Sequence, residues 1–367
     1  MSTLRVIIAG GGTGGHLFPG VAIAEALREL RPDAEVSFVG SRNRIEARVV
    51  PRLGYEFDAL WISGLKRTFS LATALLPLKI LVSLVQSLRI LHRRTPQVVV
   101  GTGGYVSGPL LYAATLTGRA TLIHEQNEYP GVTTRLLAPR VDEVHVTYES
   151  GVRRLPRARR IVVSGNPVRL SLRRCDAADA RVAFGLQPGK RTLLVFGGSL
   201  GSASINKALR PLVPRLVREG YQLIWQTGTR DIAELAPIGA LYPEQVIVRA
   251  FIDDMDQAYS AADLAVCRAG ATSLAELTML GVPAILVPYP HAAADHQYYN
   301  AIAMADAGAA RVLRDSELGK LESTLFDLLD DAAALRRMSA AAEALARPRA
   351  AYHLAEAVLA LASNGGM

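Results

Sequence analysis

Short apolar runs rich in β-branched residues recur along the chain, each followed by a loop and then by apolar positions at helical spacing. The run "LRVII" at 4–8 leads into "GGGTGGHLFPG" and then "GVAIAEALREL", which predicts a buried strand, a glycine loop and a helix from about residue 20. "QVVVGTGGYVSGPLLYAATL" at 97–116 and "TLLVFGGSLGSASINKAL" at 192–209 replay the same order. Further apolar runs alternate with helical stretches: "ATLIHEQ", "EVHVTYES", "RIVVSGNPV", "QLIWQTG", "VIVRAFI", "DLAVCRAGA" and "PAILVPYP". This alternation predicts an α/β protein with parallel sheets covered by helices on both faces.

Two doubly wound, Rossmann-like domains are expected, spanning 1–164 and 165–348, with the linker near "GNPVRLSLRR". A last helix, about 349–367 and containing "AAYHLAEAVLALA", has the pattern to pack back on either domain. Ligands of such sheets bind beyond the carboxyl ends of the strands. Two domains facing each other would therefore set three glycine loops around one central cleft.

The first loop carries five glycines between residues 10 and 15. Backbone N–H groups and the helix dipole favour an anion over such a loop. Gly10-x-Gly12-x-x-Gly15 also fits the dinucleotide fingerprint, which wants an acidic residue at the end of the second strand. That strand, "AEVSFVG", is followed by "SRNR", where Arg42 suits only a phosphorylated ribose. His16 closes the loop either as a hydrogen-bonded polar residue at a helix start or as a group aimed into the cleft.

Composition narrows the class. Half of the 367 residues are hydrophobic, enough for sizeable cores and against disorder. Cys175 and Cys267 form no C-x-x-C pattern, which argues against a disulfide framework or a cysteine metal site. A strand within four residues of the N-terminus leaves no room for a signal peptide, so a cytoplasmic protein is expected. The net charge of +8 points to an acidic partner. With 6% aromatic residues and no nucleic-acid motif, no nucleic-acid partner is expected, and an anionic membrane surface remains.

Residues 64–94, "GLKRTFSLATALLPLKILVSLVQSLRILHRR", are apolar in the middle and basic at both ends. Pro77, Lys79 and Arg89 break the run too much for a bilayer span. A helix there collects Leu75, Leu78, Leu81, Val82 and Val85 on one side, as a core helix or as a surface helix dipping into lipid. In the second case Lys66, Arg67, Lys79, Arg93 and Arg94 would meet headgroups.

Three polar clusters complete the picture. "HEQNEYPG" at 124–131 places His124, Glu125, Gln126 and Asn127 where a strand becomes loop. "CRAGATSLAEL" at 267–277 reads as a loop feeding a helix, with Thr272 or Ser273 as N-cap and Glu276 completing a capping box. The same helix start is a diphosphate seat. "PYPHAAADHQYYNA" at 288–301 gathers His291, Asp295, His296, Gln297 and Asn300, whose mixed donors and acceptors suit sugar hydroxyls better than zinc.

In this order, "GGTGGH", "GTGGYVSGP", "HEQN…PG", "GNPVR", "GGSLG", "FIDDM", "CRAGATSLAE" and "PYPH…DHQ…NA" resemble the MurG glycosyltransferases over nearly the whole chain. The resemblance implies a GT-B fold and transfer of N-acetylglucosamine from UDP-GlcNAc to the C4 hydroxyl of lipid-linked MurNAc-pentapeptide (lipid I). The product would be lipid II, a peptidoglycan precursor, made on the cytoplasmic face of the plasma membrane. It also implies donor contacts at Thr13, Gly14, Gly15, Asn127, Arg169, Ser199, Ile252, Ala271, Thr272, Ser273, Leu274, Ala275, Glu276 and Gln297. Of these, Ile252 would meet uracil through its backbone, Glu276 the ribose and Gln297 the GlcNAc hydroxyls. The chain departs from the family pattern at Leu200, often Gln, and at Thr134, often Asn.

Such a transfer needs a base for the acceptor hydroxyl, and His16 and Glu125 are the two candidates. No convincing Asp-x-Asp metal motif occurs, and Asp253–Asp254 reads as a helix-start cap. No cofactor is expected, because the helix starts after Ser199 and Gly270, with Arg169, can stabilise the departing diphosphate. A UDP-GlcNAc epimerase would share the two-domain cleft without needing the basic apolar segment. An NADP-dependent reductase would leave the second and third clusters idle, and a membrane adaptor would need no polar cluster at all.

Overall fold

The computed structural model describes residues 3–63, 76–198 and 201–364. Ser199, Leu200 and the 64–75 part of the basic apolar segment, with Lys66 and Arg67, lie outside the described residues. The chain divides into two compact units. One holds the described residues up to Leu170 and those from Arg347 onward, and the other is Ser171–Ala346.

The first unit is a parallel sheet in the order β3-β2-β1-β4-β5-β6-β7, built from β1 Arg5–Ala9, β2 Glu35–Ser41, β3 Glu56–Leu60, β4 Val98–Gly101, β5 Ala120–Glu125, β6 Glu143–Val146 and β7 Ile161–Val163. The second is a parallel sheet in the order β10-β9-β8-β11-β12-β13, with β8 Thr192–Phe196, β9 Gln222–Gln226, β10 Val246–Arg249, β11 Leu264–Cys267, β12 Ala284–Leu286 and β13 Ala310–Val312. The central strands are buried on both faces, which is why each reads as an unbroken apolar run. β3 and β13 escape that pattern. They are edge strands, partly exposed, with sequences "EFDAL" and "ARV" that carry charge between apolar residues.

Strand order reverses between β1 and β4 in the first sheet and between β8 and β11 in the second. Loops diverge at such a point and open a crevice at the strands' carboxyl ends. In the first unit the two loops are the glycine-rich ones after β1 and β4. In the second they are the loops following β8 and β11.

The segment to Leu170 stays with the first unit because it is tied there. The Leu170 amide donates to Glu25 Oε2 at 3.1 Å, and the Arg169 guanidinium lies 5.8 Å from the Phe18 ring centroid. The helix Ala350–Asn364 buries Leu354, Ala355, Val358 and Leu361 in the core shared with Val21 and Leu27 of the helix Gly14–Leu30. Each such leucine or valine side chain contributes about 1.5–3 kcal/mol.

Of the two orientations open to the helix Leu76–Arg94, it adopts the one in which its apolar stripe faces out. Ser83 and Ser87 are fully buried and bond back to the Ile80 and Ser83 carbonyls at 2.9 and 2.7 Å, while Leu78, Ile80, Leu81, Val85 and Leu88 are exposed. Leu78, Leu81, Val85 and Leu88 form an outward stripe with i, i+3, i+7 and i+10 spacing. Arg93 and Arg94, which the surface-helix reading would set against headgroups, are paired with Asp58 and Glu56 of β3. Lys79 donates to Ser63 Oγ at 3.0 Å beside Trp61. Among the described residues no helix is long and apolar enough to cross a membrane.

Candidate active site

The helix after β1 begins at Gly14, six residues before the apolar periodicity does. Pro19 is accommodated because its missing N–H forgoes only the bond to the Gly15 carbonyl. His16 is therefore the third residue of a helix rather than a loop tip, and its ring is presented from the first turn, partly buried. Thr13 is the N-cap residue and makes no side-chain cap, so the amides of Gly14 and Gly15 start the helix with their N–H groups outward.

The loop is braced from below by Glu46, which is fully buried. Its carboxylate accepts from the Gly12 amide at 3.1 and 3.2 Å and from the Ser41 amide at 2.9 Å. The second glycine loop lies directly against the first. A Cβ on Gly104, whose φ is +78°, would sit 2.5 Å from the Gly11 carbonyl oxygen. The Thr102 hydroxyl donates to the His16 carbonyl at 2.7 Å. Glycine here serves loop-on-loop packing as much as access by a ligand.

The four polar residues ending β5 have separate partners. Glu125 is buried and each of its oxygens has two donors. Oε1 accepts from the Asn127 amide and Nδ2, both at 3.1 Å, and Oε2 accepts from the Gly131 amide at 3.0 Å and the Thr134 hydroxyl at 2.6 Å. The carboxylate thus clamps the 127–134 turn, and Thr134 has a definite role as its donor. Gln126 is buried beside His16, with Oε1 3.2 Å from His16 Nδ1.

His124 is fully buried, with Nε2 3.0 Å from the Gly165 carbonyl. Burial pushes its pKa down to about 3, so the ring is neutral in the fold. The unfolded chain takes up a proton near 6.5 that the fold refuses, so stability falls as pH drops from about 6.5 toward 3. We expect urea unfolding at pH 5 to show about 2 kcal/mol less stability than at pH 7 from His124 alone. Burial lowers the pKa of His145 as well, which acts in the same direction. Equal stability at the two pH values would contradict a neutral buried His124.

In the second unit the helix Ala271–Met279 opens at Gly270, an N-cap without a side-chain bond. The expected capping box is absent. Thr272 and Ser273 are the second and third helical residues, and Glu276 lies one turn further in. Thr272 Oγ1 is buried with no hydrogen-bond partner. The first-turn amides of Ala271, Thr272 and Ser273 are left pointing out of the helix start. Leu274 is buried in the core, Ala275 is partly buried, and Glu276 Oε2 accepts from the Tyr259 hydroxyl at 2.9 Å.

Ile252 has a buried side chain and donates its amide to Gln226 Oε1 at 2.9 Å, so its carbonyl is the backbone group that can face a base. Gln226 Nε2 donates in turn to the Gly198 carbonyl at 2.9 Å, joining the loops after β8 and β10. Gln297 Oε1 accepts from the Tyr289 amide at 2.9 Å, leaving its amide hydrogens as the donors it can offer. The turn before it holds two successive non-glycine residues in the left-handed region, Ala294 at φ +51° and Asp295 at +54°. Strain of this kind, about 1 kcal/mol per residue, persists where the surroundings over-determine a loop. Asp254 takes the N-cap position of the helix Met255–Ala261 but its carboxylate makes no cap bond, contrary to its reading as a cap.

Glu46, Gln226 and Arg268 were not singled out by sequence reasoning. Arg268 donates to Asp315 Oδ1 at 2.6 Å, Ser204 Oγ at 2.7 Å, and the Val287 and Pro288 carbonyls at 3.2 and 3.1 Å. Little local marks these residues, since apart from Ser41, five residues before Glu46, these partners lie 19 to 64 residues away.

Comparison with known proteins agrees with the two-unit α/β architecture. Residues 6–146 match the glycosyltransferase family 28 N-terminal domain, and residues 192–354 match the family 28 C-terminal domain. A UDP-N-acetylglucosamine–N-acetylmuramyl-(pentapeptide) pyrophosphoryl-undecaprenol N-acetylglucosamine transferase of Salinibacter ruber is 47% identical, covering 98% of this chain and 97% of that protein. The enzyme of the same name from Prosthecochloris aestuarii is 45% identical, covering 98% and 100%. The crystal structure of Acinetobacter baumannii MurG superposes with a TM-score of 0.77 at 30% identity, covering 98% of this chain and 100% of that one. Relatives of this identity are transferases, and the epimerase alternative is not favoured. With both family 28 domains in order and such identity over nearly its whole length, the chain belongs to the MurG family and has its two-domain GT-B fold.

Proposed function

We propose that the chain moves N-acetylglucosamine from UDP-GlcNAc to the C4 hydroxyl of lipid I with inversion, giving lipid II. The observation that carries this reading is the 47% identity to a transferase named for that donor and acceptor, over 98% of the chain. Our assignment of residues follows from the geometry. His16 acts as general base, because Nδ1 faces Gln126 and leaves Nε2 to accept the proton of the acceptor hydroxyl. Glu125 is a clamp for its turn, because four donors already occupy its oxygens. As the C4 oxygen attacks the anomeric carbon, charge builds on the departing UDP. We assign the amides of Ala271, Thr272 and Ser273 in the second unit, and the Arg169 guanidinium in the first, to stabilise it.

Within the second unit, the Ile252 carbonyl reads uracil, Glu276 accepts from the ribose, and Gln297 donates to a sugar hydroxyl. Leu274 and Ala275 contribute main chain only, given their burial. Ser199, expected on the diphosphate, lies outside the described residues. In the first unit we assign Thr13, Gly14, Gly15 and Asn127 to the transferred sugar and its diphosphate. Glu276→Ala should raise the KM for UDP-GlcNAc about tenfold or more with a smaller change in kcat, as expected when a charged hydrogen bond is lost. An unchanged KM would remove Glu276 from the donor site.

The first unit is also proposed as the acceptor and membrane-docking domain, on the cytoplasmic face of the plasma membrane and peripheral to it. The outward stripe of Leu78, Leu81, Val85 and Leu88, with exposed Arg89 beside it, supports contact with an anionic bilayer. A basic residue at such a surface contributes about 1 kcal/mol. Arg89→Ala should therefore weaken binding to phosphatidylglycerol vesicles about fivefold, and Leu81→Ser should weaken it further. Sedimentation that does not distinguish these variants from the parent would contradict the docking face.

A further inference from the structure

We propose that Gln126 and His124 are positioning residues that hold His16 in the tautomer with the proton on Nδ1, leaving Nε2 as the basic nitrogen. The inference rests on the reading of His16 as general base and extends it to a four-part relay from Gly165 to His16.

The argument starts from groups that can only accept. Gln126 Nε2 lies 2.7 Å from the Thr102 carbonyl oxygen and 3.2 Å from that of His124. Two carbonyls require a donor, so the nitrogen end of the amide must face them. The reversed amide would set three oxygens against one another in a buried site. The oxygen end therefore faces His16 Nδ1, at 3.2 Å. An amide oxygen is itself only an acceptor, so the nitrogen opposite it carries the hydrogen. In a neutral imidazole the other nitrogen then holds the lone pair.

A second line of contacts leads to the same assignment from the other end. His124 Nε2 is 3.0 Å from the Gly165 carbonyl, which can only accept, so Nε2 carries the hydrogen. Burial keeps that ring neutral. Thr102 takes one Gln126 amide hydrogen, and the other is shared between the His124 Nδ1 lone pair at 3.0 Å and the His124 carbonyl at 3.2 Å. Both amide hydrogens of Gln126 are thus engaged, and the side chain cannot flip without breaking two bonds. Gln126 and His124 are almost wholly buried, so water does not compete for these groups.

Gly103 closes the arrangement from above. Its φ is +96°, and a Cβ there would stand 2.6 Å from His16 Nδ1 and 3.1 Å from Gln126 Oε1. The second glycine loop thus packs onto the His16–Gln126 hydrogen bond itself. Any side chain at 103 would push the imidazole off the amide.

The test is nitrogen-15 NMR of the full-length protein labelled at histidine, with His16 assigned by comparison with His16→Gln. At a pH where His16 is neutral, we expect Nδ1 to be pyrrole-like and Nε2 pyridine-like. The opposite pattern in the unmodified protein overturns the proposal without any variant having to fold. Gln126→Leu, which keeps the bulk and removes the amide, should shift His16 toward the Nε2-protonated form. It should lower kcat about 10²-fold with little change in the KM for UDP-GlcNAc. Added to His16→Ala, Gln126→Leu should cost nothing more, because it acts through His16. Full additivity, or an unmoved tautomer in Gln126→Leu, overturns the relay. Undiminished activity in His16→Ala would instead overturn the general-base reading, while the tautomer measurement would still stand or fall by itself.

Discussion

His16→Ala should lower turnover by about 10²–10⁴-fold while changing the affinity for UDP-GlcNAc by less than about threefold. The asymmetry follows from where the ring sits. His16 is the third residue of a helix in the first unit, whereas Ile252, the helix start at Ala271 and Glu276 belong to the second. Removing the imidazole leaves these groups, proposed to hold the donor, in place. It removes the ring nitrogen assigned to take the proton of an attacking hydroxyl, and the neighbouring His124 ring is buried with both nitrogens engaged. Glu125 cannot substitute without releasing the 127–134 turn. Steady-state kinetics with calorimetric titration of UDP-GlcNAc separates the two effects. Loss of donor binding equal to the loss of turnover would make His16 a binding residue instead.

Arg268→Met should cost about 3 kcal/mol of stability and abolish ordered donor binding with it. The Arg268 side chain is 12% exposed and its four hydrogen bonds join the end of β11 to Ser204, the Val287–Pro288 segment and Asp315. Methionine restores most of the volume but leaves Asp315, 27% exposed, with the Ser204 hydroxyl in place of an ion-pair partner, and leaves two carbonyls without the Arg268 donor. Breaking one side of a largely buried ion pair typically costs 3–5 kcal/mol, and the partial exposure of Asp315 places this case near the lower end. The effect should reach the donor site because Arg268 immediately precedes the loop to Ala271, where the diphosphate is proposed to sit. Urea unfolding of Arg268→Met measures the cost directly. A variant as stable as the parent would show that the network is dispensable.

What the sequence made legible is set by how locally each feature is encoded. Buried parallel strands such as β1, β4 and β8 are apolar on both faces, so their runs stand out against glycine loops and helices. The edge strands β3 and β13 are half-covered and short, and nothing in "EFDAL" or "ARV" distinguishes them from a helix end or a loop. Apolar periodicity set the first helix at Gly20, but its opening turn is held by the Glu46-braced loop rather than by a hydrophobic face. The helix at 76–94 inverts the usual inference. Its leucines form a stripe, as read, yet the serines face the core and the stripe faces out.

The polar clusters were visible as clusters, while the division of labour inside them was not. Glu125 and Gln126 are adjacent in sequence and both polar. Alternation along β5 sends one toward Thr134 and the other toward Thr102 and His16, and only the fold brings those partners together. The capping motif at Thr272–Glu276 failed for the opposite reason. The local pattern was sound, but the helix begins at Ala271, so the hydroxyls fall inside the first turn.

The most direct measurement of the central claim is UDP release from UDP-GlcNAc with and without a lipid I analogue, in the presence of a chelator, with the products identified by mass. This account predicts release that requires the acceptor, survives the chelator and yields one disaccharide-linked lipid per UDP. Acceptor-independent release, or recovery of an isomerised sugar in place of the disaccharide, would contradict it.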